Sequence, residues 1–197
     1  MAYEIEIKAH VYNREEVIQK LNSMKDAIYS GHTEKKDSYY HFPVGAKYIS
    51  ARIRKEKLVL NGKTSDKNYF TYKKKKLVTG DDGVQIEANE ENEFTFEGDT
   101  SPIEVFFEDL GAKLYIRKEK SVEQWMLKAD GEEAHVELCT LPDLGDFLEI
   151  EIIKPDNSAE VVSKCKKIEE TILTECNIPL SQIEPRYYTQ MLRELKK

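Results

Sequence analysis

The sequence predicts an α+β fold in which at least eight antiparallel strands form a sheet that curls or closes, with three helices beside it. Eight segments alternate apolar and polar residues with the period of a strand. Turn residues separate several of these segments, namely Gly62, Asp82-Gly83 and Asp130-Gly131. Three other stretches repeat apolar residues at helical spacing. So many strands in 197 residues are expected to curl or close rather than stay flat.

The strand segments share one pattern, in which charged side chains at every second residue lie opposite an apolar face. In chain order these segments are 3–8, 50–54, 69–75, 87–96, 114–120, 123–128, 134–139 and 147–152. The first segment places Glu4, Glu6 and Lys8 on one face. Its other face carries Tyr3, Ile5 and Ile7, and we expect that apolar face to be packed.

The three helices are predicted from apolar stripes and end signals. The first covers residues 14–29, with a stripe of Val17, Leu21, Met24 and Ile28. The second opens at Ser101-Pro102-Ile103-Glu104, a capping box with proline in the first turn. The third covers residues 157–176 and is ended by Pro179. Its stripe consists of Val161, Cys165, Ile168, Ile172 and Cys176.

Composition excludes several functional classes. The formal charge of −7 and a pI near 5.3 argue against a general nucleic-acid binder. Without an apolar stretch of membrane-spanning length or a signal-like N-terminus, we expect no membrane partner and a cytoplasmic location. We also expect one domain over residues 1–197, and reduced core thiols at Cys139, Cys165 and Cys176. The oligomeric state stays open, a homodimer included.

The charged strand faces carry the functional prediction. They consist of Glu4, Glu6 and Lys8; Arg52 and Arg54; Lys73 and Lys75; Glu91 and Glu93; Lys118 and Lys120; Glu137; Glu149 and Glu151. One interpretation is a solvated outer face of the sheet. The other is a charged, solvated interior, because groups of both signs are too costly for a dry core. Such an interior suits a polyanion with its metal ions, since lysine and arginine neutralise phosphate while carboxylates hold Mg²⁺ or Mn²⁺.

The order of motifs along nearly the whole chain resembles one family. The opening Glu4-Ile5-Glu6-Ile7-Lys8 matches an ExExK signature, and Asp37-Ser38-Tyr39-Tyr40 resembles a D-x-Y-F/Y segment. Further matches are Arg52-Ile53-Arg54, Thr71-Tyr72-Lys73, Glu91 with Glu93, Lys118-Glu119-Lys120, residues 144–151 and Glu184-Pro185-Arg186-Tyr187-Tyr188. Together they are similar to the CYTH superfamily of triphosphate tunnel metalloenzymes, which includes class IV adenylyl cyclases, thiamine triphosphatases and inorganic triphosphatases.

The resemblance implies a fold and a set of roles. The fold is a closed antiparallel eight-stranded β-barrel, the triphosphate tunnel, with helices packed outside. The implied metal ligands for Mg²⁺ or Mn²⁺ are Glu4, Glu6, Glu91, Glu93, Glu137, Glu149 and Glu151. The implied substrate-binding residues are Lys8, Arg52, Arg54, Lys73, Lys75, Lys118, Lys120 and Arg186. Of these, Lys8, Lys73, Lys118 and Arg186 are the implied catalytic residues.

The resemblance favours a class IV adenylyl cyclase that converts ATP to cyclic AMP and pyrophosphate. The alternative is a thiamine or inorganic triphosphatase, and a non-catalytic triphosphate or polyphosphate binder is less favoured. Two residues depart from the pattern. Tyr187 stands where the cyclases have serine, and Cys139 stands where many members have aspartate. We expect Glu137, two residues earlier on the same strand face, to supply the missing carboxylate.

Two further motifs have competing interpretations. Gly62-Lys63-Thr64 superficially resembles a phosphate-binding P-loop, but the first glycine of that motif is absent and no helix pattern follows, so it is interpreted as a hairpin turn. Asp37 and Tyr39 are expected just before a loop. Asp37 then serves either local turn chemistry or the support of a ligand or metal site.

Overall fold

The computed structural model contains eight strands and four α-helices. It describes the backbone of residues 3–44, 47–79 and 85–196, with their side chains except at 44, 47, 48, 73–79 and 85–91. The strands are β1 (Tyr3–Val11), β2 (Ala27–Val44), β3 (Lys47–Leu60), β4 (Lys63–Thr79), β5 (Gln85–Phe96), β6 (Lys113–Ala129), β7 (Glu132–Leu141) and β8 (Gly145–Lys154). The helices are α1 (Arg14–Ser23), α2 (Ser101–Asp109), α3 (Ala159–Glu175) and α4 (Tyr188–Glu194), and a 3-10 helix covers Leu180–Gln182.

The strands form one sheet in the order β1-β8-β7-β6-β2-β3-β4-β5. The pairs β1–β8, β8–β7, β7–β6 and β4–β5 are antiparallel. The prediction of an α+β fold with eight antiparallel strands is therefore confirmed. Closure of the sheet into a barrel is not confirmed. Strands β1 and β5 are the two ends of the strand order, and no hydrogen-bonded pairing joins them in the described ranges 3–11 and 85–96.

The chain groups into two compact units. Unit 1 comprises Met1–Glu34, Leu58–Lys63 and Lys120–Lys197, and unit 2 comprises Lys35–Lys57 and Thr64–Glu119. In unit 1, α3 packs on β1 and β8, and the main core lies between helices and sheet around Trp125, Leu148 and Ile172. In unit 2, a smaller core forms around Tyr40, Ile53 and Phe107. One domain over residues 1–197 stays a prediction.

Two strand assignments from the sequence were wrong. Strand β2 was not predicted, and Asp37 and Tyr39 lie within it rather than before a loop. Segments 114–120 and 123–128 were predicted as two strands but form the single strand β6. Burial along β6 falls on even-numbered residues up to Gln124 and on odd-numbered residues from Trp125, so the sequence alternation changes phase inside one strand.

The helix predictions were largely confirmed, with two corrections. The first helix ends at Ser23, and the chain enters β2 at Ala27, so that Ile28 is 67% exposed rather than part of a helical stripe. The second helix has Thr100 rather than Ser101 as its N-cap residue, and the Thr100 hydroxyl donates to Glu104 Oε1 at 2.8 Å. None of the helices in the described ranges is long and apolar enough to cross a membrane.

The predicted hairpin turn after β3 is confirmed. Asn61 and Gly62 have φ angles of 51° and 74°, the left-handed pair that a two-residue hairpin loop requires. Lys63 begins β4, so the P-loop interpretation fails. Asp130 and Gly131 form the same kind of turn between β6 and β7, with φ angles of 50° and 78°. Asp82-Gly83 lies outside the described residues.

Candidate functional site

A row of polar side chains crosses the sheet of unit 1. Lys8 on β1 lies directly opposite Glu149 on β8, and Glu149 lies opposite Glu137 on β7. Glu137 in turn lies opposite Gln124 on β6. Because residues opposite one another in neighbouring strands share a face, the register alone gathers a lysine and two carboxylates within three adjacent strands. We call Lys8, Lys120, Glu137, Cys139 and Glu149 the charged cluster.

Lys120 lies at the centre of the charged cluster. Its ammonium group donates to Glu149 Oε2 at 2.6 Å, to Glu137 Oε2 at 2.8 Å and to Cys139 Sγ at 3.4 Å. The Lys120 side chain is only 5% exposed, and those of Glu137 and Glu149 are 9% and 12% exposed. Charges this far from bulk water require such pairing, because an unpaired buried charge is strongly destabilising.

Two further residues hold Glu137 in place. The Gln124 amide donates to Glu137 Oε1 at 2.9 Å, and the Thr33 hydroxyl donates to Gln124 Oε1 at 3.1 Å. Thr33 and Gln124 are buried, and each hydrogen bond fixes the next side chain. The sequence analysis missed both residues. The signal for Gln124 was its position, because it shares a face with Lys120, which precedes it by two alternations on the same strand. Thr33 lies on β2, which was not predicted, so it carried no such signal.

Glu6 lies on the same face of the sheet, two residues before Lys8 on β1, and directly opposite Glu151 on β8. Although the Glu6 side chain is open to solvent, loss of part of its hydration raises its pKa to about 7, and repulsion from Glu149 adds to this rise. Lys120 and Lys8 act in the opposite direction. Glu4 and Glu151 also interact with neighbouring groups. The predicted metal ligands Glu4, Glu6, Glu149 and Glu151 thus occupy paired strands of unit 1.

The Glu184-Pro185-Arg186 segment is attached to β1. The backbone N–H of Glu184 donates to the Lys8 carbonyl at 2.7 Å, and the Lys8 ammonium donates to the Arg186 carbonyl at 2.5 Å. The guanidinium of Arg186 binds the Glu184 carboxylate through Nε at 2.9 Å and Nη2 at 2.5 Å. A further contact joins Arg186 Nη1 to Glu194 at 2.8 Å. The planar fork predicted to bind phosphate is therefore engaged by two carboxylates.

Glu184 is held in its charged form. Hydrogen bonds from the Arg186 side chain are the main cause that lowers its pKa to about 2, and a hydrogen bond with His10, at 3.2 Å from His10 Nε2, also contributes. The side chain of Glu184 is only 6% exposed. This carboxylate links the chain after α3 to the β1 strand, so that Arg186 and Lys8 are positioned together.

Tyr188 rather than Tyr187 faces the charged cluster. The Lys8 ammonium lies 4.2 Å from the Tyr188 ring centroid, a cation–π contact. Tyr188 is buried in an apolar cluster with Val122, Leu141, Phe147 and Met191. Tyr187, the residue that replaces the serine of the cyclase pattern, is 55% exposed. An apolar wall thus borders the charged cluster on one side.

Unit 2 has a charged centre of its own around Asp37. Arg54 binds both carboxylate oxygens of Asp37, at 2.7 Å from Nε and 3.0 Å from Nη2, and Lys118 Nζ lies 3.1 Å from Oδ2. Burial by itself raises the pKa of Asp37, but the charges of Lys118 and Arg54 outweigh it and hold the pKa well below its usual range. Asp37 therefore supports two predicted phosphate-binding residues rather than a turn.

Arg52 belongs to a second contact within unit 2. Its Nη2 donates to Thr71 Oγ1 at 2.8 Å and to Glu93 Oε2 at 3.2 Å, while the Thr71 hydroxyl donates to Glu93 at 2.7 Å. The predicted metal ligand Glu93 is thus paired with a predicted phosphate ligand. The backbone register places Lys73 opposite Glu91. The side chains of Lys73, Lys75 and Glu91 lie outside the described residues.

Three side chains of the charged cluster, which also bind the Lys120 ammonium, lie close enough together to hold a metal ion. One ligand atom each from Glu137, Cys139 and Glu149 lies within 4.8 Å of the others. Two of these residues were predicted as metal ligands, and Cys139 was not. Carboxylate oxygens suit Mg²⁺ and Mn²⁺, whereas a thiolate suits softer ions.

Comparison with known families identifies the chain. The family model described as the CYTH domain matches residues 2–188. The chain belongs to the CYTH domain family. This agrees with the ExExK strand and the cross-strand charges described above. A comparison with curated proteins found no match.

Solved structures share the CYTH fold. The PH1819 protein of Pyrococcus horikoshii is 22% identical, with a TM-score of 0.73 over 98% of this chain and 99% of the other. The PH1012 protein of the same organism is 26% identical, with a TM-score of 0.65 over 95% and 98%. A candidate adenylate cyclase from Vibrio parahaemolyticus is 15% identical, with a TM-score of 0.68 over 97% and 98%.

Proposed function

We propose that this CYTH protein is a metal-dependent enzyme acting on a nucleoside triphosphate, and that it converts ATP to cyclic AMP and pyrophosphate. The observation that carries the proposal is the charged cluster, in which Lys8 and Lys120 lie beside Glu137 and Glu149 on adjacent strands. Lysines of this kind neutralise phosphate oxygens, and the carboxylates suit a divalent cation. Neither group alone is suited to a triphosphate with its metal.

The residues of the proposed metal site are Glu137 and Glu149, with Glu4, Glu6 and Glu151 on the neighbouring strands. When bound there, Mg²⁺ or Mn²⁺ supplies positive charge that offsets the charge on the phosphate oxygens. Lys8 and Lys120 are assigned to hold phosphate oxygens in unit 1. The residues of unit 2 that are assigned to hold phosphate oxygens are Arg52, Arg54, Lys73, Lys75 and Lys118. The charged barrel interior that the family implies is part of this proposal.

Cyclisation is favoured over hydrolysis by the attachment of the cyclase-like Glu184-Pro185-Arg186 segment to β1. Because this segment is hydrogen-bonded to Lys8, it is attached to the charged cluster and is not a free tail. The candidate adenylate cyclase of Vibrio parahaemolyticus shares the fold, and this similarity also supports cyclisation. In this reaction the ribose 3′-hydroxyl attacks the α-phosphorus, and pyrophosphate leaves as the basic residues offset its charge.

A substrate panel tests the proposed function. Purified protein is incubated with ATP, thiamine triphosphate and tripolyphosphate, each with Mg²⁺ and with Mn²⁺, and the products are separated. We expect cyclic AMP and pyrophosphate from ATP. Orthophosphate from thiamine triphosphate or tripolyphosphate, with no cyclic AMP from ATP, would replace the cyclase by a triphosphatase. Binding of all three without any turnover would indicate a triphosphate-binding protein.

A further inference from the structure

A histidine on β2 is held between two carboxylates. His32 Nε2 lies 2.7 Å from Glu34 Oε1, and His32 Nδ1 lies 3.0 Å from Glu123 Oε1. The Ser121 hydroxyl donates to Glu34 at 2.9 Å, and the Tyr29 hydroxyl donates to the other oxygen of Glu123. Glu34 belongs to β2 and Glu123 to the neighbouring β6, so the imidazole joins the two strands. We call His32, Glu34, Ser121 and Glu123 the His32 cluster.

The contacts of His32 require its charged form. A neutral imidazole has one N–H and donates to one carboxylate only, whereas both ring nitrogens of His32 lie against carboxylate oxygens. Partial burial by itself lowers the pKa of His32, but the hydrogen bonds with Glu34 and Glu123 outweigh this effect and raise the pKa above its usual 6.5. On the other side of β2, Gly31 lies against the uncharged residues Leu58, Val59 and Leu60 of β3. His32 therefore keeps its proton to a higher pH than an ordinary histidine does.

The opposite side of the same two strands orients Glu137. Thr33 directly follows His32 in β2, and Gln124 directly follows Glu123 in β6. Because side chains alternate between the faces of a strand, Thr33 and Gln124 lie on the other face of the sheet, behind the His32 cluster. There the Thr33 hydroxyl donates to Gln124 at 3.1 Å, and the Gln124 amide donates to Glu137 Oε1 at 2.9 Å. Both sets of contacts therefore depend on the same local pairing of β2 with β6.

We propose that the His32 imidazolium is a positioning group, which fixes β2 against β6 and so keeps Glu137 oriented toward the metal site. This inference rests on the proposed metal-dependent function and adds a control by pH. When the imidazole releases one proton to solvent, it keeps one N–H and one of its two hydrogen bonds. The positive charge between Glu34 and Glu123 is lost at the same time. The contact between β2 and β6 weakens at this point, and Glu137 is held less firmly.

Nitrogen-15 NMR of the full-length protein tests this link without turnover. The His32 ring is assigned by the loss of its signals in His32→Gln, and the Gln124 side-chain amide by its loss in Gln124→Met. Between about pH 5 and about pH 9, we expect the Gln124 amide signal to show a step with the midpoint of the His32 ring. That step should be absent from His32→Gln. It should persist in His41→Gln, which removes a histidine of β2 that stacks on Tyr115 in unit 2.

Calorimetry of Mg²⁺ binding provides the second measurement. At about pH 6, where the wild-type imidazole is charged, we expect His32→Gln to bind Mg²⁺ about three-fold to ten-fold more weakly, an effect below that of a direct contact to a metal ligand. The difference should disappear at about pH 9, because glutamine and the neutral imidazole are then both uncharged. His32→Arg keeps a positive charge and several donors, so it should bind Mg²⁺ more tightly than His32→Gln at both pH values.

The outcomes separate this inference from the proposed function. A Gln124 signal that lacks the His32 step would overturn the positioning role and leave the metal-dependent function in place. The same conclusion follows if the ratio of Mg²⁺ affinities between the wild type and His32→Gln is equal at both pH values. Absence of Mg²⁺ binding by the wild type and the variants alike would overturn the function and the inference together. If the NMR spectrum shows that His32→Gln is unfolded, the Gln124 titration and the comparison of the wild type with His32→Arg decide the question.

Discussion

The ammonium group of Lys120 lies 2.6 Å from Glu149 Oε2, and both side chains are almost fully buried. The same ammonium group also binds Glu137, at 2.8 Å. One lysine therefore neutralises part of the charge of two carboxylates from neighbouring strands. We therefore expect substitutions of Lys120 to alter the stability of the protein as well as its proposed chemistry.

Replacement of Lys120 by Met should destabilise the metal-free protein by about 3 kcal/mol, since Glu137 and Glu149 lose their buried partner. Urea denaturation measures the loss, with the exposed Lys128→Met on the same strand as control. Addition of a divalent cation should restore much of the stability of the Lys120 variant. Equal effects of the two substitutions, or no response to the cation, would contradict the pairing.

Asp37→Asn should destabilise the protein by about 3 kcal/mol, because Arg54 and Lys118 then share a buried site without a carboxylate. The pH dependence follows from the lowered pKa of Asp37. A lowered pKa means that its stabilising contribution is present above the usual value of about 3.9 and is lost as the pH falls below it. Urea midpoints from about pH 6 down to about pH 2 should decline less steeply in Asp37→Asn than in the wild type. Parallel declines would show that Asp37 does not contribute.

Glu169 on α3 is fully buried, and both of its carboxylate oxygens lack a hydrogen-bond partner among the described residues. Burial raises its pKa to about 8, with a smaller contribution from Glu6. A raised pKa means that its contribution to stability is complete below the usual value of about 4.3 and is lost as the pH rises through about 8.

Glu169→Leu should therefore stabilise the protein by about 1 to 3 kcal/mol at neutral pH. The advantage should widen between about pH 5 and about pH 9, as measured by urea denaturation. Glu175→Leu, at an exposed position on the same helix, is the control and should show no such pH dependence. A constant difference between Glu169→Leu and the wild type would mean that Glu169 is already ionised throughout this range.

Arg186→Lys should lose most of the rate, roughly ten-fold or more, because a lysine cannot reproduce the two-pronged contact with Glu184. Glu184→Gln should cause a similar loss if Arg186 acts by holding Lys8 and β1. In that case the double variant loses no more of its kcat/KM than either single variant does. Multiplied losses in kcat/KM would instead indicate that Arg186 contacts the phosphate independently of Glu184.

Much of unit 1 could be predicted from the sequence because its strands are packed on one face. Ile5 and Ile7 meet the core while Glu6 and Lys8 face away from it, so the period of two is unbroken. The family fold was implied by the order of motifs along the chain, from the ExExK strand to Glu184-Pro185-Arg186, which resembles the CYTH superfamily. The long-range pairing of β1 with β8 carries no local signal and came only from the structure.

Strand β2 could not be predicted from the sequence because charged residues occur on both of its faces. Lys35 and Asp37 are buried, and the adjacent Glu34 and Lys36 are exposed, so no apolar alternation marks the strand. The pairing of Asp37 with Arg54 joins two strands and could not be inferred from turn chemistry. The place of Cys139 was likewise hidden, since its contact with Glu149 depends on the register of β7 and β8.

The central claim is tested most directly by phosphorus NMR of ATP during turnover in the presence of Mg²⁺. We expect signals of cyclic AMP and pyrophosphate from the wild-type protein, none after chelation with EDTA, and a rate at least about a hundred-fold lower in Glu6→Gln. Two results would contradict metal-dependent cyclisation on the sheet face that carries Glu6 and the charged cluster. One is the appearance of ADP and orthophosphate, and the other is undiminished turnover in EDTA or in Glu6→Gln.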